Sequence, residues 1–222
     1  MTSCLCKTFE RLVNSRLVWC LEKNNLLSEY QSDLRKHRST TDQLISLESF
    51  VREAFVRREH VVSVFFDLGK AYDTTWKHSI LRDLHGAGLR GRLPDFIGIF
   101  LKDRRFRVRV GSCLSDLYDQ EMGVPQGAIL LVTLFILKIN SIINCLPAGI
   151  RGARYIDDFC ICFRSKSPIA VERQIQRCLN SIQTWADENG FQFSKSKTVC
   201  MHFSNNQSFN PNIVRCSSTS RQ

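Results

Sequence analysis

Apolar residues recur at helical spacing after the cap-rich stretch Ser39-Thr40-Thr41-Asp42, where Leu44, Leu47, Val51, Ala54 and Phe55 share one face of an amphipathic helix. The period then changes from helix to strand. Residues 61–68 read VVSVFFDL, with Val62, Val64, Phe66 and Leu68 on one face and Asp67 near the end of the other. Helical patterning returns at 77–85 and at 94–101, where Pro94 suits a first turn. Next comes a hairpin arm in which Arg105, Arg107 and Arg109 alternate with Phe106, Val108 and Val110, so that one strand face is basic and the other apolar. The basic face serves either to contact nucleic acid or simply to meet solvent.

Further along, residues 127–142 predict a largely buried helix, and residues 153–163 an apolar hairpin bending at Asp157-Asp158. Residues 168–189 form a long helix with Ile175, Cys178, Leu179, Ile182 and Trp185 on one side, stopped by Gly190. Short strands at 191–193 and 198–203 complete the series, and from about Asn205 the chain becomes a polar, poorly ordered tail. There is no internal repeat and no Pro/Gly/Ser linker, so one continuous unit of α+β type is expected, a sheet covered by helices on one face.

Composition narrows the chemistry. A chain of 222 residues, 43% hydrophobic and 23% charged, has enough apolar material for a sizeable core. Its net charge of +10 favours a polyanionic partner, because basic groups near phosphates release condensed counterions. The ten cysteines are scattered. Cys4 with Cys6, and Cys160 with Cys162, are separated by one residue, unlike the wider gaps of structural zinc sites. Reduced thiols imply an intracellular protein, nuclear or cytoplasmic. The longest apolar run, 128–139, is interrupted by Thr133 and Lys138 and is too short to span a bilayer, so neither a membrane nor a signal peptide enters the picture.

Three carboxylates sit where packing offers no reason for them: Asp67 at the end of an apolar strand, and Asp157 with Asp158 in the hairpin YIDDF. Burying charge is costly unless it is compensated. Two Mg²⁺ ions, held about 4 Å apart by carboxylates, would compensate it and are a recurrent device for phosphoryl transfer. Singly, a strand-end Asp reads as a turn residue and an Asp-Asp hairpin as a solvated bend. Asp67 and Asp157 stand ninety residues apart, so only tertiary folding can unite them.

With these motifs in order, the chain resembles the reverse transcriptases of non-LTR retrotransposons, most closely those of the jockey type, over roughly residues 2–203. FDLGKAYD (66–73) is similar to the family's F-D-x-x-K-A-[FY]-D strand motif, YIDD (155–158) to its Y-x-D-D hairpin, and GVPQG (123–127) to its G-x-P-Q-G loop. QSDLRKHRSTTDQL (31–44) resembles its fingers segment, and GFQFSKSKTVCMHF (190–203) its following motif. The resemblance implies a polymerase palm with a ferredoxin-like antiparallel sheet and helices on one face, residues 61–204, plus a partial fingers segment, 1–60, with a disordered tail at 205–222.

It further implies that Asp67, Asp157 and Asp158 are the catalytic and metal-binding aspartates, Asp157 ahead of Asp158, for two Mg²⁺ with Mn²⁺ as a substitute. Tyr72 is implied as the gate beneath the incoming sugar, Gln126 and Gly127 as nucleotide-binding, and Arg38 and Arg35 as cations for the triphosphate. Lys197, with Lys195 as alternate, faces the departing pyrophosphate, and Arg105, Arg107 and Arg109 contact nucleic acid. Asp73 is expected to cap a helix. Gly69, Ala128, Leu131, Asp33 and His37 depart from the usual residues of these motifs. RNA template, DNA primer and dNTP are the expected partners, and RNA-directed DNA synthesis the expected activity. The expected form is a truncated, degraded copy that polymerises feebly or not at all. A nucleic-acid-binding remnant without catalysis is the second reading. A two-metal nuclease is the third, and it leaves GVPQG and the fingers-like segment without a role.

Overall fold

A nearly continuous buried run at residues 60–67 builds the strand around which the sheet is arranged. In the computed structural model, which describes residues 4–28, 30–31, 39–120, 122–124, 127–155 and 158–205, the chain divides into two compact units. One comprises Met1–Ser28 with Lys70–Ser141, the other Glu29–Gly69 with Ile142–Gln222. Both are discontinuous in sequence, and the division cuts across the boundary expected at residue 60.

The second unit holds a four-stranded antiparallel sheet. Strands β1 (His60–Asp67), β6 (Arg151–Tyr155), β7 (Asp158–Ser165) and β8 (Val199–Phe203) lie in the order β6-β7-β1-β8. β1 is therefore an inner strand, and both of its faces are covered, which is why Val61 and Ser63 are as buried as Val62 and Val64. Helix α2 (Thr40–Val56) packs Val51 and Ala54 against Val61 on one face. It starts at a capping box in which Ser39 and Asp42 exchange hydrogen bonds. Helix α7 (Pro168–Asn189) packs on β1 and β7, burying Val171, Ile175, Cys178, Ile182 and Trp185 along its apolar stripe. Ser167 caps its first turn and Gly190, at φ 73°, ends it in the left-handed conformation. The sheet thus carries α2 as well as α7. The expected strand at 191–193 reduces to a single bridge, Leu68 opposite Phe193.

The first unit is helical around α6 (Leu130–Ile139), which is buried almost all round. Residues 127–129 precede this helix and a 3₁₀ turn, Asn140–Cys145, follows it, so it is shorter at both ends than the helix expected over 127–142. α1 (Cys4–Lys23) and α4 (Lys77–Gly86) pack on α6, and α5 (Arg92–Leu101) on α4. α1 docks through polar groups one turn apart: the buried Glu10 carboxylate accepts the Ile129 N–H at 2.8 Å at the head of α6, and Thr133 donates to Asn14 at 2.6 Å. A carboxylate there meets the unpaired N–H groups and positive dipole end of a helix that has no cap of its own. On α6's other side Lys138, 2% exposed, pairs with Asp83 of α4 at 3.4 Å. The short helix α3 (Ala71–Thr74) begins after Lys70, a non-glycine residue at φ 51°. Among the described residues no helix is long and apolar enough to cross a membrane, and no disulfide forms.

Candidate active site

Asp67 closes β1, and the residue directly opposite it on the neighbouring strand is Asp158, which opens β7. Like charges facing across a ladder destabilise it unless a cation intervenes. One does. The loop after α7 is tied to the end of β1 by two backbone bonds, Ser194 N–H to Asp67 C=O and Gly69 N–H to Gln192 C=O, each 2.8 Å. Phe66 stacks near Phe193 and Phe159, with ring centres at 5.2 and 5.6 Å. This docking brings the Lys197 ammonium to 3.2 and 3.4 Å from the two carboxylate oxygens of Asp67. Lys197 is thus gathered at the candidate site, from 130 residues away.

The β6–β7 hairpin differs from expectation in one respect. Tyr155 pairs with Asp158, so Asp158 is a ladder residue rather than part of the bend expected at Asp157-Asp158. Asp157 itself, together with Arg35, Arg38 and Gln126, lies outside the described residues. Next to the hairpin tip is a group that the sequence reading passed over. Arg154 is 2% exposed and its Nε donates to Gln31 Oε1 at 2.5 Å; its backbone N–H donates to Tyr30 C=O at 3.0 Å, and Gln31 bridges it in parallel. Burial pushes the Arg154 guanidinium down to about 9, so it remains charged at neutral pH. The clamp ties the start of the 31–44 segment to the strand leading into YIDD. Its only sequence signal is a polar pair, Gln31 and Arg154, whose partnership no local pattern reveals.

Tyr72 and the GVPQG loop belong to the other unit. Val124 N–H donates to Tyr72 C=O and Gly123 N–H to Thr75 C=O, both at 2.9 Å. Gly123 (φ 84°) and Gly127 (φ 89°) both occupy the left-handed region that favours glycine. The Tyr72 ring lies 4.8 Å from that of Phe135 on α6. Asp73 sits at the third position of α3 instead of capping it; Lys70 holds the cap position without a side-chain bond. Lys70, and not Gly69, takes the left-handed turn there.

The arginine arm is broken into two short ladders, β2 (Arg105–Phe106) with β5 (Tyr118–Asp119) and β3 (Arg109–Val110) with β4 (Cys113–Leu114). Arg105, Arg107 and Arg109 are exposed, as expected of a basic face. Phe106, Val108 and Val110 are exposed too, so the arm has no buried side.

Whether this site suits divalent cations turns on its donors. Asp67 and Asp158 offer hard carboxylate oxygens at one ladder step, and Asp67 already holds a cationic group. Among the described residues no cluster of three ligating side chains forms; Asp67 and Asp158 face each other across the ladder, and Asp157 lies outside the described residues. The donor set fits. Against known sequences, residues 1–219 match the family model described as "Reverse transcriptase (RNA-dependent DNA polymerase)". The chain belongs to the reverse transcriptase family. Reverse transcriptases generally use divalent metal ions. The chain is 27% identical over 213 residues to the RNA-directed DNA polymerase from mobile element jockey of Drosophila melanogaster, covering 93% of this chain and 23% of that protein. It is 28% identical over 208 residues to the probable RNA-directed DNA polymerase from transposon BS of the same fly, covering 90% and 22%. The chain therefore spans about a quarter of the length of these relatives.

In fold it is similar to apo telomerase of Candida tropicalis, with a TM-score of 0.63 and 15% identity over 91% of this chain and 41% of that one. It is also similar to Candida albicans telomerase, with a TM-score of 0.63 and 17% identity over 90% and 35%. The α+β polymerase palm expected from the motifs is the fold of this reverse transcriptase chain.

Proposed function

We propose that the chain is an RNA-directed DNA polymerase domain, in which residues 61–204 act as palm and residues 1–60 as part of the fingers. A primer 3′-hydroxyl, held on an RNA template, attacks the α-phosphate of a dNTP; the new P–O bond forms as the bond to pyrophosphate breaks. What supports this reading most is the ladder step pairing Asp67 with Asp158 at the end of β1, with the YIDD tip alongside. Asp67, Asp157 and Asp158 would hold two Mg²⁺, or Mn²⁺ in their place, supplying charge neutralisation and a more acidic primer hydroxyl.

The other residues act by position and charge. Tyr72 sits beneath the sugar, Gln126 and Gly127 meet the nascent base pair, and Arg38 and Arg35 grip the triphosphate in bidentate fashion. Lys197 holds Asp67 in the resting chain; on substrate binding it turns to the phosphates and gives the departing pyrophosphate a proton. Lys195, two residues away, is the alternate for this role.

The test is primer extension on an RNA template with Mg²⁺ and dNTP. Incorporation that is present in the chain and lost in Asp67→Asn and Asp157→Asn supports the proposal; incorporation that survives both substitutions overturns it.

A second reading, nucleic-acid binding without synthesis, is favoured by one observation. On the arm, Phe106 and Tyr118 present exposed rings 6.0 Å apart beside Arg105, Arg107 and Arg109, the combination of stacking faces and cations that suits a single strand. If no dNTP is incorporated while binding to single-stranded nucleic acid falls steeply with salt, this reading holds. Arg107→Gln should then reduce the log–log salt slope by about 0.7.

A further inference from the structure

Cys160 and Cys162 alternate to the same face of β7, and their sulfurs lie 3.5 Å apart. Both are buried, at 8% and 3% exposure. Packing two small hydrophobes side by side requires neither a hydroxyl nor a cation near them, yet both are present. Ser63, directly opposite Cys162 on β1, donates its hydroxyl to the Cys162 sulfur at 3.2 Å. Arg151, the other ladder neighbour of Cys162, is anchored by Ser46 and Phe50 of α2. A cavity opens at the pair, walled by Leu44, Leu47, Phe65, Arg151 and the two cysteines. Cys160 also borders a second cavity that reaches Asp158.

The spacing is that of two donors on one ion. Metal–sulfur bonds of about 2.3 Å in tetrahedral geometry put two thiolates roughly 3.8 Å apart, within a few tenths of an ångström of what β7 already presents. Thiolates select soft or borderline cations over magnesium. We propose that Cys160 and Cys162 form a dithiolate site for a thiophilic divalent cation of the zinc and cadmium class, its remaining positions open to the cavity.

The hydrogen bond shared with Cys160 holds the Cys162 thiol below its ordinary value, against the upward push of burial, and the Ser63 hydroxyl and the Arg151 guanidinium act in the same downward direction. Cys160 faces Cys162, and entry of the cation displaces thiol protons from the pair, so binding releases protons. Cys160 stands two residues from Asp158 in the same strand, so a cation held here charges the wall of the cavity that the aspartate shares. The site is separate from the carboxylates and its chemistry does not depend on the polymerase reading.

Cadmium titration of the reduced chain, followed by the ultraviolet thiolate-to-cadmium charge-transfer band, tests the proposal. The expected result is a band that saturates at one equivalent. In Cys160→Ser and in Cys162→Ser the apparent affinity drops at least about 10-fold, the scale seen when a supporting ligand is lost, while Cys113→Ser, on the exposed arm, leaves it unchanged. Far-ultraviolet circular dichroism confirms that each serine variant is folded, and Ser63→Ala should weaken binding less than either cysteine change. A band of equal amplitude and midpoint in both Cys160→Ser and Cys162→Ser, or no band in the wild-type chain, overturns the proposal.

Discussion

Replacing Gly123 by alanine separates backbone strain from steric collision at the loop that carries GVPQG. Gly123 sits at φ 84°, and a Cβ built on it would lie 2.9 Å from the Asp73 carbonyl oxygen and 3.1 Å from both Asp73 Cα and the Tyr72 carbonyl oxygen. All three are backbone atoms, which cannot swing away as a side-chain tip can. The left-handed conformation costs a residue with a Cβ about 1–2 kcal/mol. To relieve the collision the loop must back off, stretching the bonds from Gly123 to Thr75 and from Val124 to Tyr72, each contributing about 0.5–1.5 kcal/mol. The total is about 2–5 kcal/mol. Gly127 provides the control: its φ is 89°, but among the described residues an added Cβ meets nothing within 4 Å. Gly127→Ala should therefore cost the strain alone, about 1–2 kcal/mol. Urea denaturation of both variants measures the difference, and for a chain of this size each kcal/mol lowers Tm by about 2–4 °C. If Gly123→Ala is no less stable than Gly127→Ala, the close approach of this loop to the Tyr72–Asp73 backbone has no energetic weight and the reasoning fails.

Other consequences follow from buried polar contacts. Glu10→Ala removes the acceptor for the Ile129 N–H at the head of α6 and should cost about 1–3 kcal/mol in urea denaturation; wild-type stability would mean that the contact contributes nothing. Asp83→Asn leaves the Lys138 ammonium inside without its counter-charge. Because Asp83 is partly exposed, the expected loss is about 1–3 kcal/mol, smaller than for a fully buried pair, and Lys138→Met in the same chain should recover at least half of it. Burial also holds Lys138 below 10.5, so its charging penalty is fully present at neutral pH. It should lift as alkaline pH approaches 10.5, which a pH series of denaturation midpoints on Asp83→Asn would detect. His202 lies 3.3 Å from His60, and burial together with the neighbouring imidazole pushes it below 6.5. Its neutral form is thus favoured on folding. Stability should fall as pH drops below about 6.5 and level off once the folded-state value is passed, and a His202→Gln chain that loses stability just as steeply would contradict this.

Local chemistry was legible wherever the signal and the structure occupy the same few residues. The ends of α7 follow from Ser167-Pro168 and Gly190, and the start of α2 from Ser39 and Asp42, because caps are satisfied within one turn. The arm misled because alternation of Arg with Phe and Val describes a strand with a core beneath it, and no core lies beneath these residues. The segment at 191–193 misled for the opposite reason: its two phenylalanines are used to seat Phe191 on Trp185 and Phe193 on Phe66 and to pin the end of β1, not to extend the sheet. Gly69 stands out as a departure from the usual residue of its motif, but the left-handed residue there is its neighbour Lys70.

The sequence by itself determined the inventory: the acidic residues, the order of the motifs, the family and the periods that make α2, β1 and α7. Tertiary structure alone decided which of these groups are neighbours. Asp67 faces Asp158 because β1 and β7 must keep Val62, Val64, Phe159 and Ile161 buried, and a slip of one residue would turn every side chain to the wrong face. Lys197 reaches Asp67, and Arg154 reaches Gln31, because loops are fastened by backbone hydrogen bonds between residues more than a hundred positions apart. Such contacts depend on where the whole core sets the chain, and no local pattern encodes them.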